Sequence, residues 1–224
     1  SDDLGLKATV TSFVPETKDK VELTKIEITN ITDSHIKFTP TTAIPLYGRS
    51  ASNIRDHRHV TSLLHRTFTV KNGIEIFPTL TFDERGHNKN TVYYGALAKE
   101  ETDGVMVSPI SFCPVTEEFI GRGGNFENPY MVAKNQPLPY GVGEEIDCYE
   151  TVAAMRFADA VISPGETKTY IIALGYGNSE EEIDRYAKAL NEILDSKDYE
   201  EMKENARKKI LNGFTIGNMK KIMT

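Results

Sequence analysis

The chain has 224 residues, of which 39% are hydrophobic and 26% charged, and a formal net charge of −7. This is ordinary globular composition for one large domain or two small ones. No apolar run approaches the roughly 18 residues a membrane span needs, and the acidic balance argues against a nucleic-acid or anionic-membrane partner. Two cysteines, Cys113 and Cys148, cannot staple a disulfide scaffold and fit a reducing compartment. With no basic and apolar leader at Ser1-Asp2-Asp3-Leu4, the expectation is a cytoplasmic protein. The missing initiator Met points to a trimmed product or an excised fragment.

In chain order, Leu6 to Thr11 alternates between apolar and polar side chains, and Val21 to Thr29 does so more cleanly, so both are predicted strands. Residues 41–66 lack a clear period; Asn53–His65 is open between helix, loop and strand. Lys71-Asn72-Gly73-Ile74 separates Phe68-Thr69-Val70 from Glu75-Ile76-Phe77. Asn-Gly tolerates positive φ at both centres of a type I′ turn, which predicts a hairpin there. Ile110-Ser111-Phe112-Cys113-Pro114 reads as a buried strand, with Cys113 an inert core thiol. Ser163-Pro164-Gly165-Glu166 signals a type II turn between strands at Ala158–Ile162 and Thr167–Leu174. Short strands with turns between them, and no long amphipathic helix before residue 178, predict a mainly β fold of two packed antiparallel sheets.

Composition changes near residue 178. Charged residues make up 19 of the 46 positions from 179 to 224 but only 40 of the first 178, and all ten prolines precede residue 165. That divides the chain into a β-sandwich domain over 1–178 and a helical extension over 179–224. Ser179 with Glu182 forms a capping box, followed by Ile183, Tyr186, Ala187 and Leu190 at helical spacing. A second helix, about Lys197 to Leu211, places Tyr199, Met202, Ala206 and Ile210 on one face, and Asn212-Gly213 ends it.

Two clusters could carry chemistry. Arg55-Asp56-His57-Arg58-His59 is the densest polar run. On a strand, His57 and His59 would share a face, but two imidazoles with no third convergent ligand are not a metal site. Arg forks and His suit an anion or a sugar hydroxyl, and structural surface hydrogen bonds are the bland alternative. The second cluster is Phe119-Ile120-Gly121-Arg122-Gly123-Gly124-Asn125. Its glycines let backbone approach a partner closely and leave the Arg122 guanidinium outward; a wide turn with a surface Arg fits the pattern equally well. It is no dinucleotide fingerprint, because the third glycine position holds Phe126. No nucleophile elbow or Walker loop occurs. Glu117-Glu118, Glu144-Glu145 and Asp83-Glu84 are adjacent pairs, which on a strand point to opposite faces and do not converge on one bond. Asn30-Ile31-Thr32 is a glycosylation sequon, expected to be a chance match in a protein that is not secreted.

The segment Tyr47-Gly48-Arg49-Ser50-Ala51-Ser52-Asn53-Ile54-Arg55-Asp56-His57-Arg58-His59-Val60-Thr61-Ser62-Leu63-Leu64 resembles the N-terminal domain of glycoside hydrolase family 94, closest to its 1,2-β-oligoglucan phosphorylase branch and cellobiose phosphorylase-like proteins. Phe119–Gly124 with Asn128-Pro129 is similar to the family's Phe-Ile/Leu-Gly-Arg segment. The Pro164-Gly165-Glu166 turn, Leu174-Gly175 and the acidic helix from Ser179 fall in the family's order. The resemblance implies a β-supersandwich of the galactose-mutarotase-like type, with a C-terminal helical linker leading to an (α/α)₆ catalytic domain. The family's inverting phosphorylases cleave a β-glucosidic bond with inorganic phosphate to give α-glucose 1-phosphate. On this reading the general acid and the phosphate pocket lie beyond Thr224, and residues 1–224 hold neither a catalytic residue nor a cofactor; phosphate is a co-substrate of the parent enzyme.

The same resemblance implies a homodimer in which a loop of this domain reaches the neighbouring subunit's acceptor subsites. Arg122 is then the preferred contact to a β-glucan oligosaccharide, with Gly123, Gly124 and Asn125 weaker ones. Arg55, His57 and His59 carry over as matched motif residues without an assigned role. Two other functions remain open at this point. A mutarotase-like enzyme would pair His57, His59, His65 or His87 with a Glu in a concave pocket. A carbohydrate-binding module would stack sugars on exposed aromatics, here tyrosines, since the chain has no Trp.

Overall fold

The structure, a computed structural model, describes residues 4–16, 20–48, 62–83, 86–90, 92–177 and 199–213. Alternating sequence becomes strand where expected: β1 (Leu6–Phe13) and β2 (Val21–Asn30) pair antiparallel from Leu6↔Asn30 to Phe13↔Leu23. The further strands are β3 (Ile36–Phe38), β4 (Thr41–Leu46), β5 (His65–Val70), β6 (Gly73–Pro78), β7 (Leu80–Asp83) and β8 (Gly86–Lys89). After them come β9 (Tyr93–Thr102), β10 (Val105–Val107), β11 (Ser111–Val115), β12 (Glu145–Asp147), β13 (Thr151–Arg156), β14 (Ala160–Ile162) and β15 (Thr167–Gly177). The large sheet runs β1-β2-β15-β9-β6-β5-β12, with β10 on β9. A second sheet runs β11-β13-β4, and β14-β3 and β7-β8 form two-stranded ladders. This is the mainly β, two-layer architecture that the strand and turn pattern predicts.

Side-chain parity shows why two sheets form. Along β2, β9 and β15 the even positions Ile26, Ile28, Ala96, Ala98, Tyr170 and Ile172 meet Phe112, Ala153 and Met155 of the second sheet. The odd positions Val21, Leu23, Leu97, Ile171 and Ala173 form a separate cluster on the opposite face. A strand alternates faces, so central strands buried on both sides lose the apolar–polar alternation that marks one-sided burial. The second sheet repeats this: Val152, Ala154 and Cys113 turn outward into a third cluster with Phe119 and Leu138.

The odd-numbered face of the large sheet is covered by the tail. Helix α3 (Tyr199–Gly213) packs Met202 against it and buries Ala206; Glu200 accepts from Lys25 Nζ at 2.7 Å. The predicted Lys197–Leu211 helix therefore forms with nearly those bounds, and Met202 and Ala206 of its predicted apolar stripe dock on the sheet. The capping box at Ser179 falls outside the described residues.

Two turns differ instructively. The Pro164-Gly165 turn forms as expected, with Gly165 at φ 75 and Glu166 N donating to Ser163 O at 3.0 Å. It carries the chain from β14, paired with β3, to β15 in the large sheet. The β5–β6 hairpin also forms, but Lys71-Asn72 are its two loop residues and Gly73 is already paired with Val70. None of the three has positive φ, so the expected type I′ turn is absent. Gly73 serves packing: a Cβ there would strike the Ala96 carbonyl and Leu97 of β9. Among the described residues, a two-residue turn with both centres at positive φ is at Asp103-Gly104 (φ 49 and 76), joining β9 to β10.

Asn30 is fully buried. Its Nδ2 donates to the carbonyls of Ser34 and Ile162, and its Oδ1 accepts from Thr32 N and Oγ1. The carboxamide is thus consumed in tying β2 to β14. An acceptor asparagine must be exposed, so the sequon is structural.

Candidate functional site: an arginine on a glycine-rich loop

The loop that carries Arg122 leaves the outer face of the second sheet. Strand β11 runs into one-turn helix α1 (Thr116–Ile120), where Glu117 and Glu118 occupy consecutive helical positions. Phe119, buried among Cys113, Leu138, Val152 and Ala154, pins this helix to the sheet. Gly121 follows at φ 84, its N–H returning to Glu117 O at 2.9 Å, and Gly124 N donates to Gly121 O at 2.9 Å. Gly123, third of these four residues, has φ 71. This is a tight turn that presents Arg122 at its second position.

The glycines mostly accommodate this chain itself. A Cβ on Gly121 would sit 2.7 Å from Tyr130 Cβ, and one on Gly124 would strike the Ile120 carbonyl; only Gly123 faces open space. Asn125 Oδ1 accepts from Glu127 N (3.0 Å) and Asn128 N (3.2 Å), a local turn that feeds helix α2 (Tyr130–Ala133). Arg122 is exposed and makes no hydrogen bond or ion pair to another described residue. Half-exposed Phe126 and Tyr130 follow it in the chain. The outcome is a rigidly shaped turn with an outward cation beside aromatic surface. That suits a planar, hydrogen-bonding partner.

Arg55, His57 and His59 lie outside the described residues, and His87 falls on β8. His65 is buried, its Nδ1 3.4 Å from Thr151 Oγ1, at the end of the sandwich where Thr67 also meets Thr151. Among the described residues no group of three or more His, Cys, Asp or Glu could hold a metal ion. Cys113 is fully buried and burial pushes its thiol up to about 12, which matches the inert core thiol expected from its strand. Cys148 is exposed, at φ 69.

One feature escaped the sequence. A cleft of about 390 Å³ opens between the Lys37–Thr41 segment, helix α2 with the residues after it, and Arg156 with Asp159. Its polar residues come from positions 37 to 159, and no local motif announces them. The one available signal was Asp159 three residues after Arg156, a spacing that brings opposite charges together in many short turns.

With the geometry in hand, comparison with known proteins decides the family. The model of the glycosyl hydrolase 94 supersandwich domain matches residues 1–193. The chain belongs to glycosyl hydrolase family 94. Its two-layer antiparallel sheets are that domain's supersandwich, as the Tyr47–Leu64 and Phe119–Gly124 segments imply. No curated protein matches the chain. Among solved structures it is similar to a polysaccharide lyase at 10% identity and a TM-score of 0.46, over 79% of this chain. The family 94 chain spans 21% of that lyase's length.

Proposed function

We propose that this chain is the non-catalytic supersandwich domain of an inverting β-glucan phosphorylase, of the 1,2-β-oligoglucan or cellobiose type. The parent enzyme would cleave a terminal β-glucosidic bond with inorganic phosphate, releasing α-glucose 1-phosphate. Such a reaction needs one acid for the leaving oxygen, while phosphate itself attacks. Both belong on this reading to an (α/α)₆ domain of the same cytoplasmic polypeptide, joined through a linker over residues 179–224. The domain's own tasks are to support a homodimer and to complete the acceptor site with the Arg122 turn.

The single observation behind this reading is the family match over a sandwich that presents Arg122 outward on a turn locked by its own glycines and Asn125. A contact across a subunit boundary needs such a turn: rigid before binding, so that little ordering is lost on contact. The test is release of α-glucose 1-phosphate from β-1,2- and β-1,4-linked oligoglucans with phosphate. This chain alone is expected to give none; turnover by it would overturn the assignment of catalysis to another domain. In the complete enzyme, Arg122→Ala is expected to raise the KM for acceptor with kcat nearly unchanged. An unaltered KM would remove Arg122 from the acceptor site.

A further inference from the structure

The cleft beside α2 holds a charged network that sheet packing does not require. The Arg156 side chain is only 14% exposed; its Nη1 donates to Gln136 O at 2.7 Å and its Nη2 lies 3.7 Å from Asp159 Oδ1. Asp159 accepts from Thr39 Oγ1 at 2.8 Å and pairs with Lys37 Nζ at 3.2 Å. Three separate elements therefore fix one carboxylate and one guanidinium at the cleft wall. Asn135 sits next to them at φ 46, a conformation that side chains other than Asn, Asp and Gly rarely adopt. Its carboxamide makes no hydrogen bond to another described residue. Met131, Val132 and Leu138 supply the apolar part of the lining.

The volume lies within the range of small-molecule sites. The lining combines fixed planar donors and acceptors with an apolar surface, which is the complement of a pyranose: hydroxyls that both donate and accept around its rim, C–H groups on its faces. An anion fits less well, because the Thr39 and Lys37 contacts hold the Asp159 carboxyl below its ordinary range, leaving a negative charge between the two cations. We propose that this cleft binds a neutral saccharide unit, with Arg156, Asp159 and Asn135 on its hydroxyls and Met131 and Val132 against its ring. It is distinct from the Arg122 turn: Tyr130 of α2 packs on Gly121, whereas the next two residues line the cleft.

The experiment is an amide and guanidinium NMR titration of this chain with glucose, with its β-1,2- and β-1,4-linked disaccharides, and separately with inorganic phosphate. At least one sugar is expected to give saturable shifts at Asn135, Gln136 and Arg156, with phosphate neither reproducing nor displacing them. Asp159→Asn is expected to raise the Kd about tenfold, the size of a lost hydrogen bond to a charged group. Asn135→Gly keeps the fold, since glycine accepts this φ, and is expected to raise the Kd about threefold. No saturable shift with any sugar, binding of phosphate instead, or Kd values unmoved in both variants would overturn the proposal. These shifts do not depend on phosphorolysis, so failure of the catalytic reading leaves them unaltered.

Discussion

The interior between the two sheets and the segment from Gly121 to Tyr149 are built on opposite plans. Ile74, Ile76, Phe112 and Met155 are fully buried and come from strands distant in sequence. From Gly121 to Tyr149 only Leu138 and Ile146 are buried. That segment is shaped by short-range devices: left-handed Gly121 and Gly123, the Asn125 turn and Asn135 at positive φ, with the Gln136 carbonyl clasped by Arg156. The difference separates what makes the protein fold from what it presents. Burial of large side chains fixes the sandwich, and turn chemistry fixes a surface that packing leaves free to meet partners.

This division predicts unequal responses to mutation. Phe112→Ala removes a ring at the meeting of both sheets and is expected to cost about 3–5 kcal/mol, lowering the cooperative melt of the whole sandwich. A loss under 1 kcal/mol in chemical denaturation would mean the interior is less tightly packed than its burial indicates. Gly73→Ala is next, at about 1–3 kcal/mol, because β9 must yield to the new methyl group. A loss below about 0.5 kcal/mol in chemical denaturation would mean that β9 gives way freely around position 73. Gly121→Ala meets both a left-handed φ and Tyr130, with an expected local cost of about 1–2 kcal/mol. Hydrogen exchange is expected to quicken between Gly121 and Lys134 while β9 and β15 keep their protection. Equal loss of protection in those strands would erase the distinction between the two regions.

Legibility in the sequence follows the same division. Val21–Thr29 and the Pro164-Gly165 turn were readable because each signal is local and serves one purpose. Gly73 was misread because a glycine beside Asn has two physical uses, left-handed φ and close strand approach, and sequence does not say which operates. The Asp103-Gly104 turn carries the same Asx-Gly signal as Asn72-Gly73, and there both centres do take positive φ. The Arg122 turn could be singled out because its glycines cluster, yet not that two of them make room for Tyr130 and Ile120. The Arg156–Asp159 cleft gives almost no local signal: Lys37 of β3, Arg156 of β13 and Asn135 after α2 are far apart in sequence and line one cleft only in the folded chain.

The smallest expected effect falls on the link between β14 and the large sheet. Glu166 Oε2 accepts from Ser163 N at 2.8 Å, closing the turn that sends the chain into β15. The Ser163 backbone bond, and after it the Ser163 hydroxyl, hold the Glu166 carboxyl below its ordinary 4.5. A carboxyl lowered on folding contributes stability that is complete above the unfolded pKa and is lost as pH falls through the folded one. Glu166→Gln is therefore expected to lower the melting temperature slightly at pH 7, with the gap to the parent chain closing as pH drops below about 4.5. Partial exposure keeps the effect small, since solvent screens the carboxylate. Melting curves for both chains from pH 7 down to pH 3 decide it. A gap that persists undiminished at the acid end would show that glutamine fails there for reasons of shape, and that the carboxylate's charge contributes nothing to holding β14 to the large sheet.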